Sequence, residues 1–122
     1  MSRTSPTTAM VNFSELLARV DNDRDLLRDL LSIFKEEFPG YLKSLQEAVI
    51  RKDAVQTASV SHTLKGMLAN LAASKAAASA SQLEQLARVA DLASLPAAFA
   101  EFERDVQGLL PEMEHHMVEV RR

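Results

Sequence analysis

Through the middle of the chain, apolar residues fall at Leu27, Leu31, Phe34, Phe38, Tyr41, Leu45 and Ala48, in steps of four and three without a slip. That spacing draws one stripe along a helix. Pro39-Gly40 lies inside the stripe and ordinarily argues for a break. Because the phase is the same on both sides, the pattern predicts a single long helix over about 23–51, bent at Pro39. Upstream, Asn12-Phe13-Ser14-Glu15 has the form of a cap followed by an acidic residue three positions on, and predicts a short helix over 12–19. Asp21-Asn22-Asp23 interrupts it and caps the next. Downstream, Asp53 caps a helix of about 54–71, Ala72-Ala73-Ser74 allows a turn, and 75–90 form an Ala-rich helix with Leu83 and Leu86 on one side. Asp91 to Ser94 read as a loop. Pro96 suits a first helical turn. The last helix is expected to run to about 119, with Phe99, Phe102, Val106, Leu109 and Met113 inward and a kink at Pro111.

Four long helices on short connections pack best as an up-and-down antiparallel bundle. The expected fold is therefore all-α, an antiparallel four-helix bundle with a short extra N-terminal helix. Composition agrees, since Ala and Leu dominate the apolar residues while Gly and β-branched residues are few. The Ser/Thr/Pro-rich residues 1–11 read as a flexible leader, and 12–120 as one bundle domain.

Charge and composition remove several classes of function. The formal charge is −3, and no basic stripe precedes Arg121-Arg122, so no nucleic-acid partner is expected. The chain has no cysteine, which excludes disulfides and thiolate metal sites. No apolar run is long enough to span a bilayer, and no signal peptide opens the chain, so a cytoplasmic protein without membrane contact is expected. No large apolar stripe remains uncovered by the bundle, so a monomer is expected.

The informative residue is His62. At about 100° per residue, Val60, Leu64, Met67, Leu68 and Leu71 cluster on the side of the 54–71 helix opposite it. That side is the core face, so His62 points to solvent. Its own face carries Val55, Ser59, Gly66, Ala69 and Ala73, with Lys65 one turn along. A solvated helix face usually carries Glu, Lys, Gln and Arg. Here it is stripped of bulk, and Gly66 sits mid-helix at a cost of about 1 kcal/mol relative to Ala. A partner that must approach closely beside His62 explains that cost. Neutral imidazole is a nucleophile near pH 7, and the Lys65 ammonium, at i+3, can reach an added phosphoryl group. On these residues alone, an exposed His beside an exposed Lys on an unremarkable surface stays open as the alternative.

The segment Ser61-His62-Thr63-Leu64-Lys65-Gly66, continued by Ala69-Asn70-Leu71, resembles the motif of histidine-containing phosphotransfer (HPt) domains of two-component phosphorelays. Phe34, Phe38, Leu42, Leu45, Asp53 and Leu83-Glu84 extend the likeness over most of the chain. The resemblance implies a phosphoacceptor at His62, a phosphoryl contact at Lys65, and docking clearance at Gly66, with Ser59 and Ala69 beside it. It implies a phosphocarrier without its own ATP site, which takes a phosphoryl group from a receiver-domain aspartyl phosphate and passes it to another receiver. Response-regulator receiver domains, a hybrid sensor histidine kinase, or both are the implied partners. No cofactor is expected to bind tightly, and the Mg²⁺ of the transfer belongs to the receiver.

The chain departs from the family pattern at three places. Ser61 stands where Ala is frequent, Ala72 where Gly is common, and Glu84 where some members place Gln. Glu84 is a candidate for supporting the imidazole, and Arg88, one turn on, either assists phosphate binding or lies on a solvated face. Two other readings carry different expectations: the phospho-accepting domain of a chemotaxis-type histidine kinase, and a non-catalytic helical adaptor using the same small-residue face. Glu112, His115 and His116 have metal-ligand spacing but lack a second such motif, so no metal site is expected. Nothing resembles a Gly-rich phosphate loop.

Overall fold

The computed structural model describes residues 11–121, with side chains as far as His115. Six α-helices follow one another: α1 (Phe13–Arg19), α2 (Arg24–Ile50), α3 (Ala54–Asn70), α4 (Ser74–Arg88), α5 (Leu95–Val106) and α6 (Leu109–Arg121), with a 3₁₀ turn at Leu92–Ser94 before α5. The first three begin where the capping residues predicted. The side chains of Asn12, Asp23 and Asp53 each accept the backbone N–H three residues on, from Glu15, Leu26 and Gln56, at 3.0 Å. Each bond satisfies an amide that the first turn leaves without a helical partner.

The long helix α2 runs through Pro39 without interruption. Pro39 and Lys35, whose carbonyl loses its i+4 partner, both face solvent, so water can serve the orphaned oxygen. Leu27, Leu31, Phe34, Phe38, Leu45 and Ala48 of the predicted stripe are buried, and the Phe34 and Phe38 rings stack with centroids 4.8 Å apart. Tyr41 departs from it and is exposed.

The single C-terminal helix expected to about 119 is two helices, separated by Gln107-Gly108. Pro111 supplies the physical reason. It has no N–H to give the Gln107 carbonyl, and its ring would collide with that oxygen in a continuous helix. Restarting the helix at Leu109 puts Pro111 in a first turn, where an amide would have had no helical partner anyway. The kink expected at Pro111 is therefore a break four residues earlier.

Four layers surround the core: α2, α3, α4 and the α5–α6 pair. The helices α3 and α4 make the most extensive contact. Among the buried residues of α4, Ala76, Ala77, Ala80 and Ala87 are small. Across the end of the bundle lies α1, tied down by Asn12 N–H to the Ala72 carbonyl at 3.2 Å and by Arg19 Nη1 to the Ala69 carbonyl at 2.6 Å. Residues 1–10 of the expected leader lie outside the described residues. Its last residue, Val11, is buried and donates its N–H to Glu112 Oε2 of α6 at 2.8 Å, so position 11 belongs to the packed bundle rather than to a flexible leader.

Helices α2, α3 and α4 stop in the same way. Lys52, Ala72 and Ala90 have φ of 58°, 58° and 57°, the left-handed region. In each case the next residue's N–H bonds back to the final turn: Asp53 to Ala48, Ala73 to Leu68, and Asp91 to Leu86, all at 2.9 Å. This six-to-one closure favours Gly at the left-handed position, and none of the three is Gly.

Candidate functional site

The site is assembled by the antiparallel contact of α3 with α4. On α3, Val60, Leu64 and Leu68 enter the core, while Met67, expected among them, is only partly buried. This fixes the rotation of the helix and turns His62 outward, where its side chain is 62% exposed. Val55, Ser59, Gly66 and Ala69 share the exposed side as expected. Ala73 does not: it lies beyond the end of α3 and is fully buried, because the chain has already turned inward to start α4.

Glu84 organises the site from α4. Its side chain is almost completely buried, yet both oxygens are used. Oε1 accepts from Lys65 Nζ at 2.9 Å. Oε2 accepts from Arg88 Nε at 3.0 Å and Nη2 at 2.6 Å, and lies 3.0 Å from His62 Nδ1. Burial alone pushes a carboxyl's pKa upward. Here the hydrogen bonds from Arg88, Lys65 and His62 outweigh burial and hold Glu84 down at about 2, so it is a carboxylate at any physiological pH.

An ionised carboxylate can only accept. The ring nitrogen facing it must therefore carry the proton, and the neutral imidazole is the Nδ1–H tautomer. The lone pair is then on Nε2, at the solvent-facing part of an exposed ring. Lys65 and Arg88 set two cations around one carboxylate, which leaves the surroundings of the imidazole with one net positive charge. A nucleophilic nitrogen with a fixed tautomer, in a weakly positive field, suits attack on a phosphoryl group.

Of the residues singled out in the sequence, His62, Lys65, Glu84 and Arg88 form one connected cluster. Ser59 lines a shallow groove beside His62. Gly66 and Ala69 are exposed on the same helix but do not line it, and the Ala69 carbonyl is held by Arg19. A Cβ built on Gly66 meets nothing within 4 Å, so packing within this chain does not require glycine there. The sequence reading missed the far wall of the groove, where Ala87 and Ala90 face Ala54 and Ala58 across the α3–α4 seam. The available signal was the spacing of small residues three and six positions after Glu84, uninformative until the two helices are brought together.

The Glu84 carboxylate is engaged by three basic side chains, and among the described residues no three His, Cys, Asp or Glu side chains cluster as ligands. No helix among the described residues is long and apolar enough to cross a membrane.

The Hpt domain family matches residues 29–116. In fold, the chain is similar to the crystal structure of histidine-containing phosphotransfer protein B (HptB) from Pseudomonas aeruginosa PAO1, with a TM-score of 0.84 at 23% identity, over 95% of this chain and 98% of that one. No curated protein sequence matches.

Proposed function

The chain belongs to the Hpt domain family, whose members are phosphocarriers of two-component phosphorelays, and from that premise we propose that His62 carries the phosphoryl group on Nε2. The observation that carries this reading is the 3.0 Å contact from His62 Nδ1 to a buried carboxylate, which leaves Nε2 as the free nucleophile.

In the accepting step Nε2 attacks the phosphorus of a receiver-domain aspartyl phosphate. The phosphorus–oxygen bond breaks and the aspartate leaves as carboxylate. In the donating step another receiver's aspartate attacks the same phosphorus, and the electron pair of the phosphorus–nitrogen bond returns to Nε2. Lys65, half-exposed and one turn from His62, is the group that steadies the equatorial oxygens during both steps. This chain supplies no ATP site and no metal. The Mg²⁺ of the transfer sits on the receiver, whose face enters over the small residues Ser59, Gly66 and Ala69.

The test is transfer from a phosphorylated receiver domain with Mg²⁺ to wild type and to His62→Gln. Acid-labile, base-stable label on wild type alone is expected. Equal label on the variant rules out His62. Label that arrives only from an ATP-loaded kinase domain, and never from receivers, makes the chain a kinase's acceptor domain rather than a relay intermediate.

A further inference from the structure

We propose that Glu84 sets the readiness of phosphorylated His62 to give its phosphoryl group away, by keeping a proton on Nδ1 through the lifetime of the phosphohistidine. The inference rests on the reading of His62 as the carrier and concerns the departure of the group rather than its arrival.

The chemistry turns on the leaving group. When Nε2 takes the phosphoryl group while Nδ1 keeps its hydrogen, the ring becomes a cationic phosphoimidazole. Attack on phosphorus by an oxygen then breaks the phosphorus–nitrogen bond and releases neutral imidazole, with no proton transfer needed. If Nδ1 has lost its hydrogen, the same bond cleavage must expel an imidazolate anion, a far poorer leaving group. The fraction of rings protonated at Nδ1 thus governs how fast the group leaves, and that fraction falls as pH rises. A negative charge fixed at Nδ1 extends it to higher pH.

Glu84 is built for that task. Its Oε2 lies 3.0 Å from Nδ1. The carboxylate is anchored from other directions by Lys65 at Oε1 and Arg88 at Oε2, so it cannot swing away when the ring becomes charged. These two cations act against it, and they are the charged groups that α3 and α4 bring to the imidazole. On the other side of α4, Asp105 of α5 is engaged with Ser79 and Lys75, away from Glu84. Direct contact through Oε2 gives Glu84 the larger effect, because the half-exposed cations are screened and Arg88 already spends its Nε and Nη2 hydrogens on the carboxylate. The cationic ring, the two basic residues, Glu84 and a dianionic phosphoryl group sum to a neutral cluster. A Gln at this place can still accept from Nδ1–H and preserve the tautomer, but it cannot hold a proton there by charge.

The experiment needs no partner protein. Wild type, Glu84→Gln and Arg88→Gln are phosphorylated with phosphoramidate, and loss of phosphate to water is followed from about pH 6 to 10, beside a titration of the ¹⁵N-labelled imidazole. The alkaline decline in wild-type hydrolysis is expected about one pH unit or more above that of Glu84→Gln, so that between the two declines the variant releases phosphate roughly tenfold more slowly. The Nδ1 resonance should move with the same midpoints. Removing Arg88, whose side chain is largely exposed, is expected to move the decline to higher pH, and serves if Glu84→Gln does not fold. Phosphate on His62 with coinciding midpoints in all three proteins overturns the role of Glu84 and leaves the carrier intact. Phosphate retained by His62→Gln under the same treatment overturns both.

Discussion

Single residues here are set by requirements that the fold alone does not impose. Gly66 is exposed, helical and free of neighbours where a Cβ would stand. Gly66→Ala is therefore expected to raise stability by about 1 kcal/mol in thermal or urea unfolding. If the residue provides docking clearance, the same variant accepts phosphate from a receiver more slowly; unchanged transfer would remove Gly66 from the interface. Ser61, directly before His62, is fully buried, and its hydroxyl finds no partner, like that of Thr57 one turn earlier. A buried hydroxyl without a hydrogen bond costs about 1–3 kcal/mol. Ser61→Ala should accordingly leave the protein at least as stable as wild type, and a marked loss on unfolding would show that the hydroxyl has a partner after all. For Glu84 the sign follows from linkage. Its folded value of about 2 lies below the ordinary carboxyl value of 4.5, so the stabilisation is complete above about pH 4.5 and is lost as pH falls toward 2. The unfolding free energy from urea titrations is expected to fall through that acid window in wild type, by on the order of 3 kcal/mol beyond the change in Glu84→Gln.

At the scale of elements, the three left-handed closures after α2, α3 and α4 are the clearest departure from what the backbone prefers. A non-Gly residue there costs about 1 kcal/mol. Lys52 and Ala90 are exposed, so Lys52→Gly and Ala90→Gly should each raise stability by about 0.5–1 kcal/mol, measured by thermal unfolding. Ala72→Gly should gain less, because its methyl group is buried. A loss in the exposed pair would mean that entropy of the unfolded chain outweighs the relief of strain. The helices themselves were legible because their signals are local. Asn12, Asp23 and Asp53 announce their helix starts, and the four-three rhythm from Leu27 to Ala48 carries α2 across Pro39. The α5–α6 break was not legible, since the apolar phase from Phe99 to Met113 continues through it. Only the backbone demand of Pro111 on Gln107, four residues earlier, decides the matter.

Taken as a whole molecule, the bundle is a device for holding two helix faces in register. The orientation of His62 could be read from one helix, because the burial of Val60, Leu64 and Leu68 dictates it. The union of His62, Lys65, Glu84 and Arg88 could not, since it depends on how α4 slides along α3. That register is set by packing between the two helices, and sequence separation alone says nothing about it. The likeness in fold to a phosphotransfer protein at only 23% identity fits this division. Architecture needs little more than apolar stripes and caps, whereas the chemistry resides in a few side chains on one seam. Whether a phosphoryl group resides on Nε2 of His62 is read most directly by ³¹P and ¹⁵N NMR of histidine-labelled protein after transfer from a phosphorylated receiver domain. One phosphorus bonded to Nε2 of His62 is expected, with Nδ1 still protonated. Phosphorus on Nδ1, or on His115 or His116 instead, would rule out Nε2 of His62 as the carrier atom.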